Sequence, residues 1–399
     1  MDIFKIAQTD EGLSKDEIKA AISGSLKNRT IKKALIIPPD FTRYHSNAGF
    51  IAIIIFGLIV TVHEFGHFIC AKLSGIRVLE FSVGMGPKLL QKKKGETAYS
   101  LRLLPVGGYC AMEGEDSDTD DERGFRNAKL WKRMIVLVAG AVMNFILGFL
   151  LLVGMVCMMA KVPTTEISGF SGEQNEDGSV TYYAESYESG LRHGDKFIKI
   201  DGTRIFSILD INYIFATTKL DTHDVIVERD GEKVELTDVK FNDTKNGGTM
   251  DFGNVYVDKN PLTVIKGSGD FFMSMGHLVG LSLKQMLSGK MEKEELSGPV
   301  GVVTTISETA EEGETLADKV FNLLYMASLI TINVGIFNLL PIPGLDGGRL
   351  LFCFIELVRR KPVKPEHEGY VHLAGMALLF GIMIFATYND IVRLITGGK

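Results

Sequence analysis

Cysteine is scarce in this sequence: Cys70, Cys110, Cys157 and Cys353 are the only four in 399 residues, and no two form a C-x-x-C pair. That excludes a disulfide framework and a zinc site built from thiolates. An excess of positive charge is missing as well. A net charge of −6 argues against nucleic acid as a partner. The opening residues lack the pattern of a cleavable signal peptide, so the first apolar run is expected to direct insertion itself. What the chain has is apolar sequence, 46% of residues against 23% charged. A mean hydropathy of +0.15 fits membrane spans averaged with a soluble part, and the length leaves room for about two or three domains.

The densest signal lies in residues 51–72, IAIIIFGLIVTVHEFGHFICAK, which contain His63-Glu64-Phe65-Gly66-His67. On a helix, residues four apart share a face, so His63 and His67 can present two imidazoles to one metal ion. Glu64 is then placed to act on water as a general base. The flanking residues are apolar on every side, which leaves the helix no water-facing stripe. Residues 48–69 suffice to cross a hydrocarbon core of about 30 Å. A chance match, or two histidines satisfied inside a bundle, is the bland account. Ionisable residues at such depth are costly and mark function, which favours a zinc-dependent peptidase site inside the membrane.

Residues 1–47 form an atypical N-terminal extension, with a helix expected at 14–23 and a strand at 33–37. Its loop Pro38-Pro39-Asp40-Phe41-Thr42-Arg43 resembles the P-P-D-x-T-R loop of nickel-dependent lactate racemase-like enzymes. The resemblance stops at Gly49, and the remainder of such an enzyme does not follow. The extension is expected to be a fused or mis-assembled gene start without activity.

The first span covers 48–72. Residues 73–130 read as one or two β-hairpins at the membrane surface, with a strand over 96–104 that Pro105-Val106-Gly107-Gly108-Tyr109 ends. Their edges can pair with an extended peptide. Residues 131–160 are a second span, anchored by Lys129, Trp131, Lys132 and Arg133. In it, Gly140 and Ala141 allow close helix approach, and Asn144 can hydrogen-bond a neighbouring helix or the active-site groups. Residues 161–260 alternate short strands and turns, with a helix over 208–219, as a soluble domain does. Residues 261–320 are weakly amphipathic and are expected along the membrane surface. Residues 321–361 hold a third span and a following helix, separated by Pro341-Ile342-Pro343-Gly344. Such a break is tolerated only where the backbone lines a protein interior or a wet cavity. The fourth span is 366–390.

Lys92, Lys93 and Lys94 lie between spans one and two, and Arg359, Arg360, Lys361 and Lys364 follow span three. Both connections are therefore expected in the cytoplasm, with residues 161–260 and both termini outside. A catalytic zinc needs a third protein ligand beside His63 and His67. Asp346, just past the broken helix, is the best candidate, with His367 and His372 as alternatives. Asn144 or Asn338 can donate to a developing oxyanion.

Two resemblances add to this reading. Residues 189–202, SGLRHGDKFIKIDG, resemble the A-G-L-x-x-G-D-x-I-x-x-I-n-G core of PDZ domains. PDZ domains take peptide ends by strand addition, so Gly190 and Leu191 become candidate substrate-binding positions. H-E-x-x-H in the first span, G-x-x-x-N in the second, the PDZ-like insert, and N-x-x-P-x-P-x-x-D-G over 338–347 together resemble the bacterial site-2 proteases, across residues 50–399. That resemblance implies an α-helical multi-pass protein of the bacterial cytoplasmic membrane. It would have four transmembrane helices, a membrane-associated β-hairpin region and an inserted extracytoplasmic α+β PDZ domain. It further implies Zn2+ as cofactor, His63, His67 and Asp346 as ligands, Glu64 as catalytic base, and Asn338 and the hairpin over 81–109 as holders of substrate. The implied partners are the lipid bilayer and single-pass membrane proteins, such as anti-sigma factors or signal-peptide remnants, cleaved in regulated intramembrane proteolysis. The rival is a catalytically silent scaffold that captures peptide termini; it has no need of Glu64 or Asp346.

Overall fold

The computed structural model describes residues 48–115, 117–175, 179–217, 220–242, 250–288, 301–302, 304–306 and 315–396. The helix and strand expected within 1–47 fall outside these. Chain order begins with α1 (Ala48–Leu73), β1 (Val78–Lys94), β2 (Thr97–Met112) and α2 (Leu130–Met158). A mixed segment follows: β3 (Val162–Phe170), β4 (Gly172–Gln174), β5 (Val180–Tyr182), α3 (Glu185–Glu188), β6 (Lys196–Ile200), β7 (Thr203–Arg204) and α4 (Ile208–Thr217). It closes with β8 (Thr222–Arg229), β9 (Glu232–Lys240) and β10 (Phe252–Val257). Helices α5 (Pro261–Leu287), α6 (Leu316–Leu339), α7 (Asp346–Arg359) and α8 (Pro365–Thr396) follow.

Helices α1, α2, α6 and α8 are long and apolar enough to cross a membrane, with peak mean hydropathies of 1.9, 2.6, 1.8 and 1.9. Lipid tails are as apolar as leucine, so close packing rather than solvent exclusion must hold such helices together. The contacts are built for that. A Cβ on Gly66 of α1 would fall 2.3 Å from the Ala139 carbonyl oxygen of α2, and one on Gly148 of α2 would fall 2.7 Å from Ile332 of α6. Helix α2 is thus gripped from two sides. Helix α6 begins with a capping box, in which the Thr315 hydroxyl accepts from the Asp318 amide and the Asp318 carboxylate accepts back from the Thr315 amide. It stops at Leu340, whose extended backbone leads into the two prolines.

Strands β1 and β2 form one hairpin that doubles back on itself. Ser100 lies opposite both Ser82 and Gln91, and Phe81 opposite both Tyr99 and Cys110. The result is a four-segment antiparallel sheet in the order 88–94, 97–102, 78–83, 108–112. Gly84, Gly86 and Gly107, at φ of 82°, 82° and 79°, make the bends in a region that other residues avoid. β2 therefore runs on through Pro105 to Met112, which corrects the expectation that Pro105–Tyr109 ends it; the glycines redirect the strand without breaking its pairing. A Cβ on Gly57, near the middle of α1, would fall 2.1 Å from the Pro105 carbonyl oxygen. The sheet therefore reaches well along a membrane-length helix.

Strands β3 and β6–β10 make a six-stranded sheet in the order β10-β3-β6-β8-β9, with β7 beside β6. Its core holds Ile167, Leu191, Phe197, Ile200, Ile211, Val225 and Val227, each contributing about 1.5–3 kcal/mol by burial. Gly190, Gly194 and Gly202 have positive φ around β6, a turn–strand–turn. Buried carboxylates here are enclosed. Asp195 accepts from Arg229 Nε and Nη2, both at 2.7 Å, and from the Arg192 amide at 2.8 Å. Asp251 accepts from the Ser186 amide and hydroxyl at 3.0 and 2.9 Å. Asp210 accepts from the Phe206 and Ser207 amides, His277 Nδ1 and the Ser274 hydroxyl, which ties α4 to α5.

In helix α5, Phe271 and Met275 are buried against Leu152, Met155 and Val156 of α2 and Ile332 of α6.

Candidate metal centre

One turn of α1 separates His63 and His67, whose rings meet edge to face with centroids 4.8 Å apart. Their Nε2 atoms lie 3.2 Å from each other. Asp346, the first residue of α7, brings Oδ2 to 2.9 Å from His63 Nε2 and 3.1 Å from His67 Nε2. Gly347 and Gly348 make this arrival possible, since Cβ atoms there would collide with the carbonyls of Leu340 and Ile342 at 2.1 and 2.5 Å. Among the described residues this is the one group of three such side chains able to hold a metal ion.

The donor set suits zinc. Three ligand atoms about 2.0–2.1 Å from a tetrahedral ion stand about 3.3 Å apart. The three edges found, 2.9, 3.1 and 3.2 Å, need only a slight opening to match. His67 Nδ1 donates to the Val136 carbonyl at 2.8 Å, which commits its Nε2 lone pair to the centre. Gly140 lies beneath both rings; a Cβ there would fall 2.5 Å from His67 Nε2 and 2.7 Å from His63 Nε2.

Glu64 stands beside the trio. Its Oε2 accepts from the Cys110 amide at 3.0 Å, so the last segment of β2 is pinned over the histidines. Glu64, His67, Asp346, Tyr109 and Cys110 line a cavity of about 640 Å³. Its rim carries charge, with Arg126 to Glu368 at 2.7 Å and Arg349 against Glu115. Water can therefore approach the half-buried Glu64 and Asp346 through a polar mouth in an apolar bundle.

The other predicted positions divide. Asn144 is fully buried and does not reach the cavity: its Nδ2 lies 3.3 Å from His63 Nδ1, and its Oδ1 is buried with no hydrogen-bond partner. A direct contact with substrate is corrected by that enclosure. Asn338, half-buried in the last turn of α6, is absent from the cavity wall. His367 is exposed. His372 lines the cavity, yet its Nδ1 accepts from the Gly344 amide at 2.8 Å and so satisfies the broken backbone. Gly190 and Leu191 are corrected too. Leu191 is wholly buried in the sheet core, and the two amides are used by the Tyr187 and Ser186 carbonyls, which leaves neither group for a peptide.

Sequence reasoning missed three participants: Gly140 as the floor of the site, the Val136 carbonyl and the Cys110 amide. The last two are backbone groups with no side-chain signature. Gly140 was findable, because it and Asn144 are four apart on α2, as His63 and His67 are on α1.

Comparison with known proteins gives one family. A family model described as Peptidase family M50 matches residues 51–382. The Regulator of sigma-W protease RasP of Bacillus subtilis is 30% identical over 428 aligned residues, covering 86% of this chain and 97% of the relative. The Zinc metalloprotease RasP of Bacillus licheniformis is likewise 30% identical, over 86% of this chain and 98% of its own. A Clostridium perfringens relative is 33% identical over 345 residues, 86% of this chain and 97% of that protein.

Proposed function

Because this chain belongs to peptidase family M50 and is a membrane zinc metalloprotease of the site-2 type, we propose that His63, His67 and Asp346 hold its zinc and that Glu64 is its general base. The observation that carries this is a convergence: two histidines of one apolar helix meet a carboxylate 283 residues downstream, beside a glutamate that faces a cavity. Bound zinc supplies Lewis-acid polarisation of the scissile carbonyl and of water. The chain supplies the rest. Glu64 takes a proton from the attacking water and returns it to the leaving nitrogen. The Cys110 amide holds one of its oxygens, so the carboxylate meets the water in a fixed orientation. Asp346 balances charge that lipid cannot solvate. The segment 108–112 is one edge of the doubled sheet, and an unwound stretch of substrate can pair with it above Glu64.

The substrates proposed are single-pass membrane proteins, of the anti-sigma-factor or signal-peptide-remnant kind, in the bacterial cytoplasmic membrane. The hairpin and the polar mouth face the cytoplasm, while residues 162–257 form a PDZ-like domain outside, where they meet the extracytoplasmic end of the substrate. A silent scaffold is the weaker reading, since it gives no reason for a cavity-facing Glu64. The test is Glu64→Gln in purified protein with a model transmembrane substrate. Zinc should stay stoichiometric while cleavage is lost, and unchanged cleavage would reject the assignment. His63→Ala and Asp346→Ala should each lose the metal.

A further inference from the structure

We infer that Asn144 is a positioning residue that sets the tautomer of His63, and thereby readies its Nε2 for the metal. The inference rests on the ligand assignment above. A histidine that binds metal through Nε2 carries its proton on Nδ1, and that proton needs an acceptor. For His67 the acceptor is the Val136 carbonyl. For His63 the neighbour of Nδ1 is the carboxamide of Asn144, 3.3 Å away. That carboxamide has a single acceptor atom, Oδ1, which is buried and has no hydrogen-bond partner. The two ends of a carboxamide are alike in shape, and the terminal torsion is broad and two-fold. A half-turn therefore brings Oδ1 onto His63 Nδ1–H without moving the helix.

The placement of these groups is regular. Val136, Gly140 and Asn144 are spaced by four and form one stripe of α2. Its two ends supply an acceptor to each imidazole, and its centre, lacking a Cβ, gives both rings room. One helix face thus orients both histidines of another. The same enclosure separates this role from that of an oxyanion donor, which must face the reacting carbonyl.

Zinc affinity decides the matter. Detergent-purified full-length chain is titrated with zinc against a chromophoric chelator at fixed pH, as wild type, Asn144→Ala and Asn144→Asp. Loss of the acceptor in Asn144→Ala should weaken zinc binding about 10–100-fold. Asn144→Asp keeps an acceptor in the same place and should bind within a few-fold of wild type. Nitrogen-15 NMR of histidine-labelled, zinc-loaded wild type should show His63 protonated at Nδ1, a readout that stands if Asn144→Ala does not fold. Wild-type affinity in Asn144→Ala, or Nε2 protonation of zinc-loaded His63, overturns the inference. Failure of the wild type itself to bind zinc overturns the ligand assignment instead.

Discussion

Two regions of this molecule hold carboxylates largely out of water, fully buried in one and half-buried in the other, and they treat them differently. In the six-stranded sheet unit, Asp195 and Asp251 are each closed off by donors: a two-pronged guanidinium and an amide for one, an amide and a hydroxyl for the other. In the helical part, Asp346 faces two imidazoles, and Glu64 takes a single backbone amide at the edge of a cavity. Closed clusters fasten elements together. The open cluster leaves acceptor atoms converging on one point, an arrangement that is costly unless a cation or water fills it. Where a protein leaves half-buried charge incompletely paired, chemistry is the reason to look for.

The sharpest way to break this comparison is at Glu64. Glu64→Gln should cut cleavage by about 10²–10⁴-fold or more, with zinc content and thermal midpoint near wild type. Asp346→Ala should abolish zinc binding, measured by elemental analysis, because only two of the three proposed ligands remain. Its thermal midpoint without metal should move little, as the cluster is not a fastener. Asp195→Ala should behave in the opposite way. It strands Arg229 beside the sheet core and should cost about 2–3 kcal/mol in denaturant unfolding. The side chain of Arg229 keeps 29% exposure, which holds the figure below that of a wholly buried pair. Zinc stoichiometry should be unchanged.

Gly84→Val tests the link between hairpin and centre. Position 84 has φ of 82°, and a Cβ would fall 2.5 Å from the Leu104 carbonyl oxygen. Strain of about 1–3 kcal/mol should distort the bend and raise KM for a membrane substrate while zinc stays bound. The smallest effect concerns the hairpin's outer end, where hydrogen bonds from Lys72 and Arg123 hold the Glu96 carboxyl below its ordinary value of 4.5. A lowered folded pKa stabilises above the unfolded value and loses that contribution as pH falls through the folded one. Limited proteolysis at the hairpin end should therefore increase below about pH 4.5, and Glu96→Gln should flatten that dependence.

Much of this architecture is legible from one sequence. Span length and hydropathy need no partner to be read, because a helix that must satisfy its own backbone in lipid announces itself by composition. The proline break before Asp346 is equally local. The doubled hairpin is not, since Ser100 pairs with residues on two separate segments and nothing in its neighbourhood specifies both. Leu191 shows another limit: its motif predicts the turn and the strand, but whether the side chain points to core or ligand depends on the phase of the surrounding sheet. Asn144 could be singled out as a polar residue at depth, yet only packing shows that it faces a histidine rather than a cavity.

The sequence alone determined which segments are apolar enough to span a membrane, that two histidines share a helix face, and that an aspartate follows a broken helix. These are short-range matters, carried by periodicity and composition. Tertiary structure decided that Asp346 arrives within 3.1 Å of both imidazoles, that a strand amide holds Glu64, and that one stripe of α2 serves both rings. Contacts across hundreds of residues depend on how helices approach one another, and that approach is set by packing at Gly66, Gly140 and Gly148 as a whole.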